Sequence, residues 1–303
     1  MFGLRNIFRG KKFVILSIDG GGVRGIIPLT FLSLLQEEFG VNLVEHCDLI
    51  AGTSVGAIVS SCIAFGIPYR KCEEIMLDKV KEIFKERRSS LKGLTKSKYS
   101  NEVLYAELHK VLGDTTFGEI DKKLILTATS ITKGVPKLFT YLDREVRVID
   151  AVMASGAAPI YFDPWKIGKE NFVDGGLWAN NPSMVALMHS RKHFKVNFKN
   201  IAFISLGVGR SNATPNNPKK SSWGAISWNI ELVKLALSSI QSSTESSVAT
   251  FLRKESYLRV NPTLHKEVFI DDISQMEYLR SEAAAHFKKN RKQIERFVRD
   301  YLC

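Results

Sequence analysis

The stretch Leu49-Ile50-Ala51-Gly52-Thr53-Ser54-Val55-Gly56-Ala57-Ile58 reads as a strand, a sharp turn and a helix with a serine at the bend. Its centre is G-x-S-x-G. A bend this tight excludes side chains on its flanks, so Gly52 and Gly56 let strand and helix approach while Ser54 projects its hydroxyl. The first N–H groups of the following helix have no intrahelical partner and carry partial positive charge, which suits negative charge developing beside Ser54. A Gly/Ser turn without chemistry has the same local pattern, so the rest of the chain must decide between them.

Phe13-Val14-Ile15-Leu16-Ser17-Ile18 is a short apolar run, the mark of a buried strand, and it leads into Asp19-Gly20-Gly21-Gly22-Val23-Arg24-Gly25. These glycines satisfy G-x-G-x-x-G and by themselves suit a dinucleotide pyrophosphate at a helix N-terminus. That reading also needs an acid at the end of the second strand, and Glu37, Glu38 and Glu45 are not clearly there. The second strand ends in the serine bend instead. With both turns at the carboxyl edge of neighbouring parallel strands, the N–H groups of Gly20, Gly21, Gly22, Val23, Arg24 and Gly25 face Ser54 as an oxyanion hole. One such donor is worth ~3 kcal/mol of transition-state stabilisation. Arg24 either adds positive charge or pairs with a carboxylate.

A serine nucleophile needs a base. None of His46, His109, His189, His193, His265 and His286 lies in a glycine turn or at a strand end that would aim it at Ser54. Asp174 does, in Asn171-Phe172-Val173-Asp174-Gly175-Gly176, a short strand ending at a glycine turn. A carboxylate there, with Gly175 and Gly176 giving access, is placed to take the Ser54 proton directly. Its ordinary pKa of ~3.9 is low for the task, so the role calls for a desolvated pocket. An isolated Asp-Gly-Gly is otherwise a hairpin turn.

Apolar spacing predicts helices over 26–39, 54–65, 69–88, 101–112, 148–154, 181–193, 225–251 and 274–302. It predicts strands over 13–18, 47–51, 123–129, 137–142, 171–174, 201–206 and 257–260. The opening β-α-β-α alternation implies a parallel sheet with helices on its faces. Without repeats or a linker, residues 13–303 read as one domain behind an N-terminal arm, 1–12. The chemical motifs fall in 13–209, and a loop and helices occupy 210–303. Three polar features invite ligands: a basic loop over 85–98, an Asn/Pro/Lys/Ser loop over 211–222 that could serve as a lid, and a serine stripe from Ser238 to Ser247, for which a solvent face is the default.

With 303 residues, 45% hydrophobic and 24% charged, the chain is an ordinary globular one. Its formal charge of +12 points to an anionic partner: a phospholipid surface, nucleic acid or a phosphorylated ligand. Cys47, Cys62, Cys72 and Cys303 lack C-x-x-C spacing and read as reduced thiols of a cytosolic protein rather than a zinc site. The sequence shows no membrane-spanning segment and no secretory leader.

Taken together, the three motifs resemble those of the patatin-like phospholipases. Asp19-Gly20-Gly21-Gly22-Val23-Arg24-Gly25 looks like that family's oxyanion loop, Gly52-Thr53-Ser54-Val55-Gly56 like its nucleophile elbow, and Asp174-Gly175-Gly176 like its aspartate motif. The resemblance covers about residues 13–209. It implies a three-layer α/β/α patatin-like fold with a mainly parallel central sheet, a Ser54–Asp174 dyad, an acyl-enzyme and hydrolysis of lipid acyl esters without metal or cofactor.

A narrower resemblance, through Asp174 to Pro182, the Lys92-Gly93-Leu94 to Tyr99 segment and Tyr257-Leu258-Arg259-Val260, is to the bacterial patatin-like effectors of CBASS anti-phage systems. It implies a membrane phospholipid substrate, a cyclic-dinucleotide activator made by a partner synthase, homo-oligomerisation on activation, no nucleic-acid polymer, and action from the cytoplasm at the inner face of the membrane. Candidate nucleotide sites are the basic loop, the serine-rich helix and the basic C-terminal helix. Val208 and Gly156 depart from the family's usual Thr and Ser. Two rival readings stand beside the hydrolase: a dinucleotide-binding protein with an inert Ser54, and a non-catalytic module for anionic membranes.

Overall fold

A computed structural model describes residues 12–85, 97–211 and 225–303. The N-terminal arm up to residue 11, most of the basic loop and nearly all of the 211–222 loop lie outside them. The chain runs β1 (Phe13–Ile18), α1 (Ile26–Phe39), α2 (Leu43–His46), β2 (Leu49–Thr53), α3 (Val55–Ala64), α4 (Tyr69–Ile83), α5 (Asn101–Leu112), β3 (Leu124–Ser130), β4 (Val135–Thr140) and α6 (Val148–Gly156). It continues with β5 (Trp165–Ile167), β6 (Glu170–Asp174), α7 (Gly176–Ala179), α8 (Ser183–His193), β7 (Ile201–Leu206), β8 (Arg210–Ser211), α9 (Ala225–Phe251), β9 (Tyr257–Val260), β10 (Thr263–Leu264) and α10 (Met276–Tyr301).

β3, β2, β1, β7 and β9 lie side by side in parallel, in that order. Being covered on both faces, these strands are apolar at nearly every position, and alternate residues serve opposite layers. Leu16, Ile18, Ile50, Leu126 and Ile204 join the core under α1, α3, α6 and α10. Ile15, Ala51, Ile125, Ile201 and Phe203 join the core shared with α8 and α9. The three layers and the mainly parallel sheet are those expected.

The antiparallel part of the sheet matters most for the site. β4 runs along one whole edge of β3, from Ile125↔Thr140 to Ser130↔Val135. The other edge is shared end to end: β2 pairs with its first half, finishing at Thr53↔Thr127, and β6 takes over at Ala128↔Asp174. One strand therefore sets the end of β2 and the end of β6 at adjacent positions.

Differences from the sequence reading are local. β2 begins at Leu49, because residues 43–46 form the short α2. The third helix ends at Ile83, and β5 and α7 were not foreseen. Each is four residues or fewer, too short to impose a readable period. Ser238, Ser239, Ser242, Ser243 and Ser246 face solvent, the default given for that stripe. α10 packs Leu279, Phe287, Ile294 and Phe297 inward and ties its basic side to α1 through Arg291 and Glu38 at 2.7 Å. Cys47, Cys62 and Cys72 are buried free thiols, and Cys303 is exposed. No helix among the described residues is long and apolar enough to cross a membrane.

Candidate active site

Ser54 sits between β2 and α3 with φ 56° and ψ −125°, a left-handed conformation rarely taken by a residue with a side chain. Such strain costs on the order of 1–3 kcal/mol and persists only where the surroundings fix it. Three contacts do so. A Cβ on Gly52 would lie 2.3 Å from the Gly56 carbonyl oxygen, and one on Gly56 would lie 2.2 Å from that of Ile18. The Ser54 N–H donates to Ser155 Oγ at 2.9 Å. Glycine at 52 and 56 thus lets the bend close, and the wholly buried Ser155 holds it from the end of α6.

Asp174 is 6% exposed. Burial pushes its pKa up to about 6, against the opposing pull of hydrogen bonding from the Ser54 hydroxyl and from the Gly176 N–H. The latter bond is 2.6 Å. The acid stays close to the serine because Thr53 and Asp174 face neighbouring residues of β3. The join is riveted by Thr53 Oγ1, 2.7 Å from both Thr127 Oγ1 and the Ala179 carbonyl. Gly175 is required there, since a Cβ would meet Thr127 Oγ1 at 2.1 Å.

The glycine loop lies against this pair. A Cβ on Gly20 would stand 3.1 Å from Ser54 Cβ. Of the six residues expected to supply N–H groups, three use theirs within the fold: Gly20 donates to the Asn180 carbonyl (2.9 Å), Val23 to that of Ile270 (2.8 Å) and Arg24 to that of Gly21 (3.2 Å). Gly25 brings the loop onto α3, where a Cβ would touch Val55 at 2.4 Å. The N–H groups of Gly21 and Gly22 have no backbone partner among the described residues. Arg24 donates to the Gly21 carbonyl at 3.3 Å and forms no ion pair with a described carboxylate. Asn180 Oδ1 lies 2.5 Å from where a Cβ on Gly20 would stand, and the Ile270 carbonyl oxygen 2.1 Å from where one on Gly22 would stand.

Sequence reasoning missed the supports of this loop. Asn180 grips Gly20 from both sides, its Nδ2 donating to the Gly20 carbonyl at 3.2 Å. Asp19, wholly buried, accepts from Arg259 Nη2 at 2.7 Å, Arg259 Nη1 at 3.1 Å and Gln241 Nε2 at 2.8 Å. Burial works against the Arg259 charge, and Asp19 more than offsets this, holding the guanidinium above its ordinary pKa. Val208 leans on Gly21, where a Cβ would be 2.6 Å away. Adjacency to the Asp-Gly-Gly motif was the available signal for Asn180, and membership of the Tyr257-Leu258-Arg259-Val260 segment the one for Arg259.

An apolar cavity of about 130 Å³ opens at Ser54. It runs between α3, α4 and α5, past Val55 and Ile58, Met76 and Val80, then Leu104 and Leu108. Gly156 is on its wall, and a Cβ added there would meet nothing within 4 Å. His189 and His193 stack on each other at 4.2 Å on α8, and His189 reaches Tyr141 at 3.2 Å.

A hydroxyl at a strained elbow, a buried carboxylate whose pKa burial raises and a glycine loop thus meet at the ends of β1, β2 and β6. Residues 16–187, more than half of the chain, match the patatin-like phospholipase family, and the chain belongs to that family. A cGAMP-activated phospholipase of Escherichia coli (strain TW11681) is 30% identical over 235 residues, 69% of this chain and 66% of the relative. Patatin-like protein 1 of Arabidopsis thaliana is 29% identical over 267 residues, 72% of this chain and 64% of the relative. The chain spans just under two thirds of the length of these curated relatives. Among solved structures, VipD from Legionella pneumophila aligns with a TM-score of 0.47 at 12% identity, over 92% of this chain and 67% of its own.

Proposed function

We propose that the chain is a serine lipid acyl hydrolase that cleaves acyl esters of membrane phospholipids through Ser54 and Asp174. The observation that carries this reading is the apolar cavity that opens at Ser54, a shape and chemistry suited to a fatty acyl chain whose ester carbonyl rests on the serine. Asp174 takes the Ser54 proton as Oγ attacks that carbonyl. The oxyanion is met by the Gly21 and Gly22 N–H groups and by the positive end of α3. Collapse expels the lysolipid alcohol, which takes the proton back from Asp174 and leaves an acyl-serine. A water activated by Asp174 then releases the fatty acid and restores Ser54.

The likeness to a cGAMP-activated phospholipase supports a cyclic-dinucleotide switch; in this reading the enzyme acts from the cytoplasm at the inner face of the membrane. Residues 13–303 form the catalytic domain in this reading. The test is fatty-acid release from mixed phospholipid vesicles, with a panel of cyclic dinucleotides added singly. Release by the wild type, abolished in Ser54→Ala with folding unchanged, is the expected result. Release that persists in Ser54→Ala refutes the dyad, and release indifferent to every nucleotide refutes the switch alone.

A further inference from the structure

Ile160 has φ 76° and is 74% exposed. A β-branched residue in the left-handed region is a conformational outlier, and exposing its apolar side chain adds a second cost that folding does not require. The turn is nonetheless tightly held. Its Ile160 and Tyr161 carbonyls accept from the Lys98 and Tyr99 N–H groups at 2.9 and 2.8 Å, and the Phe162 N–H returns to the Ala158 carbonyl at 2.9 Å. A glycine or asparagine would fit this backbone with less strain, so the isoleucine itself is what the position presents.

Its place is the rim of the acyl cavity. Gly156 and Phe162, on either side of it in the chain, line that cavity, and Ala157 accepts the Asp174 N–H at 3.0 Å. The same carboxyl edge of the sheet carries other exposed apolar side chains: Ile131 and Val135 at the β3–β4 tip, and Leu177 just beyond the Asp-Gly-Gly turn. Lys169, in the β5–β6 turn, stands exposed at this end as well. We propose that Ile160, with Ile131, Val135 and Leu177, is the edge that inserts into a phospholipid bilayer, with Lys169 meeting anionic headgroups. The proposal rests on the reading of Ser54 as a lipid acyl hydrolase: an apolar rim around an acyl cavity, on a chain of formal charge +12, fits a negatively charged bilayer.

The test is co-sedimentation with vesicles of phosphatidylcholine alone or mixed with phosphatidylglycerol, beside hydrolysis of a soluble short-chain ester. Ile160→Asn, which suits the backbone, is expected to weaken partition about tenfold, and Ile131→Ser with Ile160→Asn about a hundredfold. Hydrolysis of the soluble ester is expected to stay unchanged in both. Unchanged partition overturns the proposal. So does a parallel loss of soluble-ester hydrolysis, which marks a structural role, or a shift in sedimentation coefficient without lipid, which marks a contact between copies. A wild type that hydrolyses neither ester nor phospholipid with any member of the cyclic-dinucleotide panel defeats the hydrolase reading, while its partition and that of the variants still score the edge.

Discussion

Replacing Asp174 by asparagine should stabilise the protein at alkaline pH while abolishing turnover. The native carboxyl titrates at about 6 against an ordinary 3.8, because burial disfavours its charged form. Between these values the native state holds a proton that the unfolded chain has lost, so stability falls as pH rises through that window and stays lower above it. The displacement corresponds to about 3 kcal/mol at ~1.4 kcal/mol per pH unit. Asparagine keeps the acceptor for the Gly176 N–H and carries no charge. At pH 8 the variant should therefore unfold later, by up to about 3 kcal/mol in denaturant titration or roughly 5 °C in Tm. Below pH ~4 the difference should vanish. A variant no more stable than wild type at pH 8, or one whose advantage is the same at both pH values, would refute a buried, poorly compensated carboxylate beside Ser54.

Turnover of a soluble ester should rise with pH around a midpoint near 6, set by ionisation of Asp174; an initial-rate profile flat from pH 5 to 7 would place the base elsewhere. Gly20→Ala puts a methyl 2.5 Å from Asn180 Oδ1 and 3.1 Å from Ser54 Cβ, and should cut kcat by about a hundredfold or more with the circular dichroism spectrum retained. Arg259→Met strands the Asp19 carboxylate in the core and should cost about 3–5 kcal/mol in denaturant unfolding, much of it recovered by adding Asp19→Asn. Gly156→Ser enters open space and should leave the melting temperature within about 1 °C and the soluble-ester kcat within about twofold of normal.

The sequence made the parallel core legible because strands buried on both faces read as unbroken apolar runs, as residues 13–18 and 201–206 do. The serine bend and the aspartate turn were legible for a different reason: each needs glycines that a side chain would exclude. What stayed hidden depends on register. Nothing in the spacing of β2 and β6 announces that they meet on one edge of β3, or that the Ile270 carbonyl would claim the Val23 N–H. Arg259 stands out only as part of the Tyr257–Val260 segment, since its buried ion pair with Asp19 joins positions far apart in the chain and leaves no local pattern.

Because β3 sets Thr53, the residue before Ser54, and Asp174 against consecutive residues of its own backbone, the distance from Ser54 to Asp174 is indifferent to how much polypeptide is strung between them. Ser54 and Asp174 can therefore stay fixed while intervening loops are lengthened or exchanged. Altering the pairing frame of that single strand by one residue, without adding or deleting any loop, would be enough to separate the two.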